Sequence, residues 1–170
     1  GFGLTSEAGI PAMPVRTEKI VIPEGKTAFV QVISEGYTDY NDIDIFPAPR
    51  LTTDGQASSP GFLKNDSAYL AHEFSPAEMV QLTGVQVYRG VTLGYLTIKP
   101  VQYNPSLRTA RVHEKLHIKI EFRESPDKLI LRKRTCKTTG YGVLQNTVLN
   151  SKALPVPPAA DKSGATLQPE

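Results

Sequence analysis

The sequence predicts an all-β protein: an antiparallel β-sandwich, jelly-roll-like, with one short C-terminal helix. Apolar residues recur at every second position more often than at helical spacing, which is the period of strands that bury one face. The 170 residues include 14 prolines and 13 glycines, which interrupt the apolar pattern at short intervals. Short strands separated by such turn signals are typical of sandwiches and barrels. A chain of this length can bury one continuous core without disulfide or metal staples.

The clearest predicted strand covers residues 116–123. Apolar and polar side chains alternate strictly along it. Since successive side chains of a strand point to opposite faces, one face of this strand should be buried. The residues predicted to face the core are Leu116, Ile118, Ile120 and Phe122.

Further strands are predicted upstream of this one. Residues 19–22 end at Pro23, residues 27–33 are rich in β-branched and aromatic side chains, and the Glu24-Gly25 turn between the two segments predicts a strand pair. Residues 42–46 (DIDIF) alternate again and predict a strand that ends at Pro47. The remaining predicted strands are residues 85–88, 91–98, 101–103 and 107–112.

Three stretches depart from the strand pattern. Residues 47–64 contain three prolines and two glycines and predict a long surface loop. Loops longer than about 12 to 15 residues are usually functional or disordered, so this loop is the first place to look for activity. Residues 140–150 predict the short helix. Residues 153–170 have four prolines and no aromatic residue, so we expect a flexible linker after a single domain that covers residues 1–152.

The charge balance and the lengths of the apolar runs argue against two classes of partner, nucleic acids and membranes. Nineteen basic and seventeen acidic side chains are interspersed and give a net charge of +2, so we expect no nucleic-acid binding. No apolar run approaches the roughly 20 residues that cross a bilayer, so we expect no membrane insertion. The single cysteine, Cys136, excludes an internal disulfide.

Residues 113–117 (HEKLH) match the zinc-peptidase string H-E-x-x-H, which works because a helix places two histidines one turn apart. Here the strand pattern starts at Leu116, and on a strand His113 and His117 would lie about 13 Å apart, too far to share a zinc ion. Asp42 and Asp44 share one face of their predicted strand, as solvated residues or as calcium contacts. We expect no metal, no cofactor and no enzymatic activity.

The basic run 132–134 precedes Cys136, whose thiol could act as a nucleophile only beside a base or cation. No Gly-rich or small-residue frame surrounds this cysteine, so a structural role is favoured. The basic run is either a solvated face or a protease-sensitive site, because basic residues in exposed segments are easily cut by trypsin-like enzymes.

Several segments between residues 9 and 150 carry a family resemblance. The most specific is residues 96–105 (LTIKPVQYNP), which follows Arg89-Gly90. The other segments are residues 9–14 (GIPAMP), 20–23 (IVIP), 107–122 and the apolar stretch that ends at Asn150. Together they resemble the N-terminal propeptide domain of gingipain-type cysteine peptidases.

The resemblance implies a β-sandwich prodomain that chaperones the folding of a secreted cysteine peptidase and blocks its active site until the prodomain is cut away. The implied partner is the cognate catalytic domain, downstream in the same precursor. The implied location is secreted or at a bacterial cell surface, reached through the periplasm.

The resemblance also implies that a basic residue on the loop after residues 43–46 enters the specificity pocket of the peptidase. The matching place here, residues 53–56, has no Lys or Arg. The loop therefore presents Arg50 in a shifted register, fits an enzyme that prefers another side chain such as Asp54, uses Lys64, or blocks the cleft without filling the pocket. The candidate contact residues are Arg50, Leu51, Asp54 and Lys64.

Three basic residues are candidate processing sites: Arg134, Lys152 and Lys162. The alternative function from another class is an extracellular β-sandwich adhesion or carbohydrate-binding module. A sugar site usually needs a flat aromatic platform, and the sequence has no Trp and only scattered tyrosines, which disfavours this alternative.

Overall fold

Two antiparallel sheets packed face to face form the body of the protein in the computed structural model, which describes residues 1–50, 63–125 and 141–155. The strands among these residues are Gly3–Leu4 (β1), Pro14–Ile22 (β2), Lys26–Tyr40 (β3), Val80–Tyr88 (β4), Val91–Ile98 (β5), Val101–Asn104 (β6) and Thr109–Glu124 (β7). One sheet has the order β1-β2-β5-β4 and the other has the order β3-β7-β6. The predicted all-β antiparallel sandwich is confirmed.

Strand β2 lies at the centre of the core because both of its faces are covered. Ile20 and Ile22 point towards the second sheet, where they pack with Ala28 of β3, and they also pack with Leu96 of β5 in their own sheet. Val21, between them, points to the opposite side and packs with the C-terminal segment. All three consecutive β2 residues are buried. Each fully buried aliphatic side chain of this kind contributes about 1.5 to 3 kcal/mol.

The described residues contain two α-helices, Asp66–Tyr69 (α1) and Tyr141–Thr147 (α2), and α2 confirms the helix predicted at residues 140–150. Leu144 and Val148, from this predicted segment, are buried where they pack against the first sheet. Neither of these helices is long and apolar enough to span a membrane.

The chain after α2 is docked on β2 by hydrogen bonds that imitate a neighbouring strand. The side chain of Asn150 accepts a bond from the Val21 N–H (2.7 Å) and donates one to the Val21 carbonyl (2.8 Å). The one-turn 3₁₀ helix Ser151–Ala153 then brings Leu154 into the core. Packed structure thus continues two residues beyond position 152, where the sequence predicts the domain to end. The rest of the predicted linker, residues 156–170, lies outside the described residues.

The predicted pairing of residues 19–22 with 27–33 is wrong. Both segments are strands, but β2 pairs with β1 and β5, whereas β3 pairs with β7. The turn at Gly25 leads the chain from one sheet to the other, so that the apolar faces of β2 and β3 meet across the sandwich.

The predicted strand at residues 42–46 is also wrong, although its alternation is meaningful. Ile43 and Ile45 pack against the cluster around Tyr103, so the apolar face is inward. Their carbonyl groups are not paired in a ladder, because the hydroxyl groups of Tyr103 and Tyr69 donate to them at 2.9 and 2.8 Å. Tyrosine hydroxyl groups thus supply hydrogen bonds that the backbone of a neighbouring strand would supply in a sheet.

Strand β7 combines two predicted strands, residues 107–112 and 116–123, into one. Ile120 and Phe122 pack against the cluster between the sheets. Leu116 and Ile118, on the same predicted face, are partly buried. The predicted strands at 85–88, 91–98 and 101–103 are found within β4, β5 and β6.

Candidate functional site

The first two residues of the predicted surface loop 47–64 are not on the surface. Pro47 and Ala48 are buried, and they form bridges with Pro11 and Ala8 of the N-terminal segment. These two residues therefore belong to the body, whereas Pro49 and Arg50, which follow them, are exposed. Residues 51–62 lie outside the described residues. The described residues at and next to the two ends of the loop are 46–50 and 63–65, and we call them the loop base.

The N-terminal segment runs between the two ends of the loop base. On the entry side, the Gly9 N–H donates to the Ala48 carbonyl (3.1 Å), and the Ala48 N–H donates to the Ile10 carbonyl (2.8 Å). On the exit side, the Gly9 carbonyl accepts from the Asn65 N–H (3.0 Å). Gly9 is thus bonded to both ends of the loop through its own backbone.

Helix α1 supports the exit end. The side chain of Asn65 caps this helix by accepting from the Ala68 N–H at 3.4 Å. The Tyr69 hydroxyl donates to the Ile45 carbonyl, which ties α1 to the segment that enters the loop. Burial, followed by the nearby Tyr103, raises the pKa of Tyr69, so this hydroxyl remains protonated as a donor at neutral pH.

Two of the four predicted contact residues lie at the loop base. Arg50 and Lys64 are both exposed, and they line one cavity of about 210 Å³ together with Ala8, Gly9, Leu63 and Asn65. The Lys64 ammonium is 4.7 Å from the centre of the Tyr69 ring, a cation–π contact. The other two predicted contact residues, Leu51 and Asp54, lie outside the described residues.

The acidic side chains considered for metal binding form ion pairs instead. Arg108 binds Asp44 with two hydrogen bonds (3.1 and 3.3 Å), and its Nη1 lies 3.9 Å from Asp42. Arg111 binds Asp39 with two hydrogen bonds (2.8 and 2.9 Å). The hydrogen bonds from Arg111 hold the pKa of the Asp39 carboxyl below its usual value.

Arg111 also lies between two aromatic rings, with its guanidinium carbon 4.1 Å from the centre of the Tyr37 ring and 4.2 Å from that of Phe74. This stacking joins the loop that carries Phe74 to the β3–β7 pair.

The two histidines of the HEKLH string are expected on a strand or turn, both half-exposed; they lie on strand β7, but the expected half-exposure of both is wrong. His113 is buried, with Nε2 2.9 Å from Oε1 of Gln102, and His117 is exposed. Among residues 1–50, 63–125 and 141–155, no group of three or more His, Cys, Asp or Glu side chains could hold a metal ion.

One candidate processing site is described. Lys152 is exposed within the 3₁₀ helix, two residues before buried Leu154. Arg134, Lys162 and the candidate nucleophile Cys136 lie outside the described residues.

Comparison with known proteins agrees with the resemblance seen in the sequence. The model of the family Propeptide_C25 matches residues 2–148. The chain belongs to the Propeptide_C25 family. Its match to gingipain R2 of Porphyromonas gingivalis is 22% identical over 166 residues, which is 95% of this chain and 22% of that protein. Its match to Lys-gingipain of the same organism is 28% identical over 124 residues, which is 69% of this chain and 7% of that protein. The chain thus spans less than a quarter of the length of these relatives.

Two solved structures have the same fold as this Propeptide_C25 chain. A structure that concerns the zymogenic latency of gingipain K from P. gingivalis has a TM-score of 0.61 at 27% identity and covers 72% of this chain and 70% of its own. A complex of the pro- and mature domains of P. gingivalis RgpB has a TM-score of 0.73 at 20% identity, with 88% and 77% covered.

The hydrogen bonds that define the loop base of this Propeptide_C25 domain join residues that no sequence pattern brings together. The string GIPAMP belongs to the family pattern. However, Gly9 within it bonds to Ala48 and Asn65, which are distant in sequence. A local signal existed for α1, because Asn65 followed by Asp66 is a typical helix start.

Proposed function

We propose that this chain is the prodomain of a gingipain-type cysteine peptidase, which assists the folding of the catalytic domain and keeps it latent by covering the active-site cleft with the 47–64 loop. The observation that carries the proposal is the loop base, in which both ends of the 47–64 segment are hydrogen-bonded to the same N-terminal segment. A loop held in this way loses less conformational entropy when it binds, which is what a tight inhibitor requires.

The proposed partner is the catalytic domain of the same precursor, and the proposed location is secreted or at a bacterial cell surface, reached through the periplasm. The proposed role needs no cofactor, metal or catalytic residue in the prodomain itself. The inhibitor acts by occupying the cleft, and standard-size inhibitory interfaces bury about 800 Å² on each partner.

Among the candidate contact residues, the loop base favours Arg50 over Lys64. Both are exposed, but the ammonium of Lys64 is already placed over the Tyr69 ring. Arg50 lies two residues after Ala48, which is buried and hydrogen-bonded to the N-terminal segment, and Arg50 itself is exposed. In an acidic specificity pocket, its guanidinium would form charge-assisted and bidentate bonds to a carboxylate. Asp54 remains the candidate for a peptidase with a basic pocket.

The adhesion or carbohydrate-binding alternative has less support. Tyr37 and Tyr69 are the kind of side chains that such a module would use to stack against sugar rings, but Tyr69 is partly buried, and a cation, Arg111 or Lys64, already lies over the Tyr37 ring and the Tyr69 ring, respectively.

Inhibition and refolding assays test the two parts of the proposal. The chain should inhibit the mature catalytic domain of its own precursor, with mature gingipain R2 and Lys-gingipain as reference peptidases. It should also raise the yield of active catalytic domain when the denatured enzyme is diluted into buffer that contains the chain. A chain that neither inhibits any of these enzymes nor improves refolding would contradict the proposal.

A further inference from the structure

Gly9 occupies a position in which only glycine fits. Its φ of +84° lies in the left-handed region that other residues rarely adopt. A Cβ atom built on Gly9 would lie 3.0 Å from the Leu63 carbonyl oxygen and 3.3 Å from the Asn65 nitrogen. Both neighbours are backbone atoms, so they cannot rotate away as a flexible side chain could. Any side chain at position 9 would push the exit end of the loop away from the N-terminal segment.

The same residue sets the distance between the two ends of the loop. Its N–H donates to Ala48 and its carbonyl accepts from Asn65, so a single residue joins the entry and exit sides. The Ala12 N–H donates to the Phe46 carbonyl at 2.9 Å and extends the pairing on the entry side. The loop base is thus built around the backbone of the N-terminal segment.

We infer that Gly9 is a positioning residue for inhibition: its backbone clamps the two ends of the 47–64 loop at a fixed separation and so presents the loop to the peptidase in its binding geometry. The inference rests on the proposed function of the loop. Fixing the ends of a loop lowers the entropy that binding must remove, so loosening them weakens inhibition even when the rest of the domain is intact.

The test compares replacements of two glycines that both have positive φ. Gly25 has a φ of +76°, but a Cβ there has no neighbour within 4 Å. Gly9→Ala should raise the inhibition constant at least tenfold more than Gly25→Ala does, measured against the catalytic domain of the same precursor. Hydrogen exchange on the free domain should show the Asn65 amide exchanging at least tenfold faster in Gly9→Ala, with no such change in Gly25→Ala.

A second pair of variants avoids a collision at position 9. Asn65→Pro removes the N–H that bonds to Gly9, and the φ of −85° at this position lies close to the range of about −80° to −50° that proline adopts. Asn65→Ala loses the same helix cap but keeps the N–H. We expect the proline variant to inhibit at least tenfold more weakly than the alanine variant.

The outcomes separate this inference from the proposed function. If the parent chain inhibits, and each variant of a pair inhibits as well as its control, the clamp is refuted while the inhibitory function stands. If the parent chain inhibits none of the three peptidases, the proposed function fails and the role of Gly9 in inhibition fails with it. Exchange of the Asn65 amide then still reports whether Gly9 holds the loop ends.

Discussion

Replacement of Asn150 should destabilise the domain more than its position near the C-terminus suggests. Its amide forms two short hydrogen bonds with the backbone of Val21, on the side of β2 that has no strand partner at this residue. Asn150→Ala removes both bonds and leaves a partly buried N–H and carbonyl of Val21 without them. A buried polar group that loses its partner costs about 1 to 3 kcal/mol, and partial water access lowers this, so we expect a total of about 2 to 3 kcal/mol.

Thermal and urea denaturation measure this loss. For a domain of this size, 1 kcal/mol shifts the melting temperature by about 2 to 4 °C, so Asn150→Ala should melt about 4 to 12 °C below the parent. Asn150→Asp should also be destabilised, because a carboxylate can accept from the Val21 N–H but cannot donate to its carbonyl. Asn146→Ala, on the exposed face of α2, is the matched control and should stay within about 0.5 kcal/mol of the parent. Equal stability of the two alanine variants would refute the reasoning that the C-terminal segment is held by these bonds.

Three further predictions concern the core, the pH dependence and the C-terminal turn. Ile120→Asp should cost about 2 to 4 kcal/mol in urea denaturation by placing a charge against the inter-sheet cluster, whereas Lys119→Asp, on the exposed face, should cost less than 1 kcal/mol. The lowered pKa of Asp39 stabilises the folded state above the usual carboxyl value of 3.8, and this contribution is lost as the pH falls through the lower folded pKa. Asp39→Asn should therefore be less stable than the parent at pH 7, and the difference should shrink below pH 3.8; a constant difference across this range would contradict the ion pair. Leu154→Ala should speed trypsin cleavage after Lys152 several-fold, because Leu154 anchors that turn in the core; unchanged cleavage, followed by mass spectrometry, would argue against this anchor.

The strands were predictable where local pattern and burial agree. Ile20, Val21 and Ile22 form a continuous apolar run because both faces of β2 are covered. At residues 42–46 the alternation correctly indicates which side chains point inward, but the hydroxyl groups of Tyr69 and Tyr103 replace the ladder bonds. No local pattern carries that information, since the tyrosines are 24 and 60 residues away from their acceptors.

The partners of β2 and β3 could not be read from the turn that joins them. A turn at Gly25 is compatible with a hairpin and with a crossing between sheets, and only the packing of β2 against β3 across the core decides between them. The candidate site shows the same limit. Proline and glycine content indicates the loop, whereas the role of Gly9 depends on two hydrogen bonds to residues far along the chain.

The central claim, that this chain keeps a cysteine peptidase latent by inserting its loop, is tested most directly by inhibition constants for the parent chain and its loop variants. Arg50→Ala, Asp54→Ala and Lys64→Ala are compared against the catalytic domain of the same precursor, with Arg123→Ala on β7 as an exposed arginine control.

We predict that Arg50→Ala weakens inhibition by about 2 to 5 kcal/mol, roughly 30-fold to several thousand-fold, because truncation leaves a pocket carboxylate buried and unpaired. Its melting temperature and the inhibition by Arg123→Ala should match those of the parent. Three loop variants that all inhibit like the parent would contradict pocket filling by a loop side chain, and a parent chain that does not inhibit would contradict the prodomain account itself.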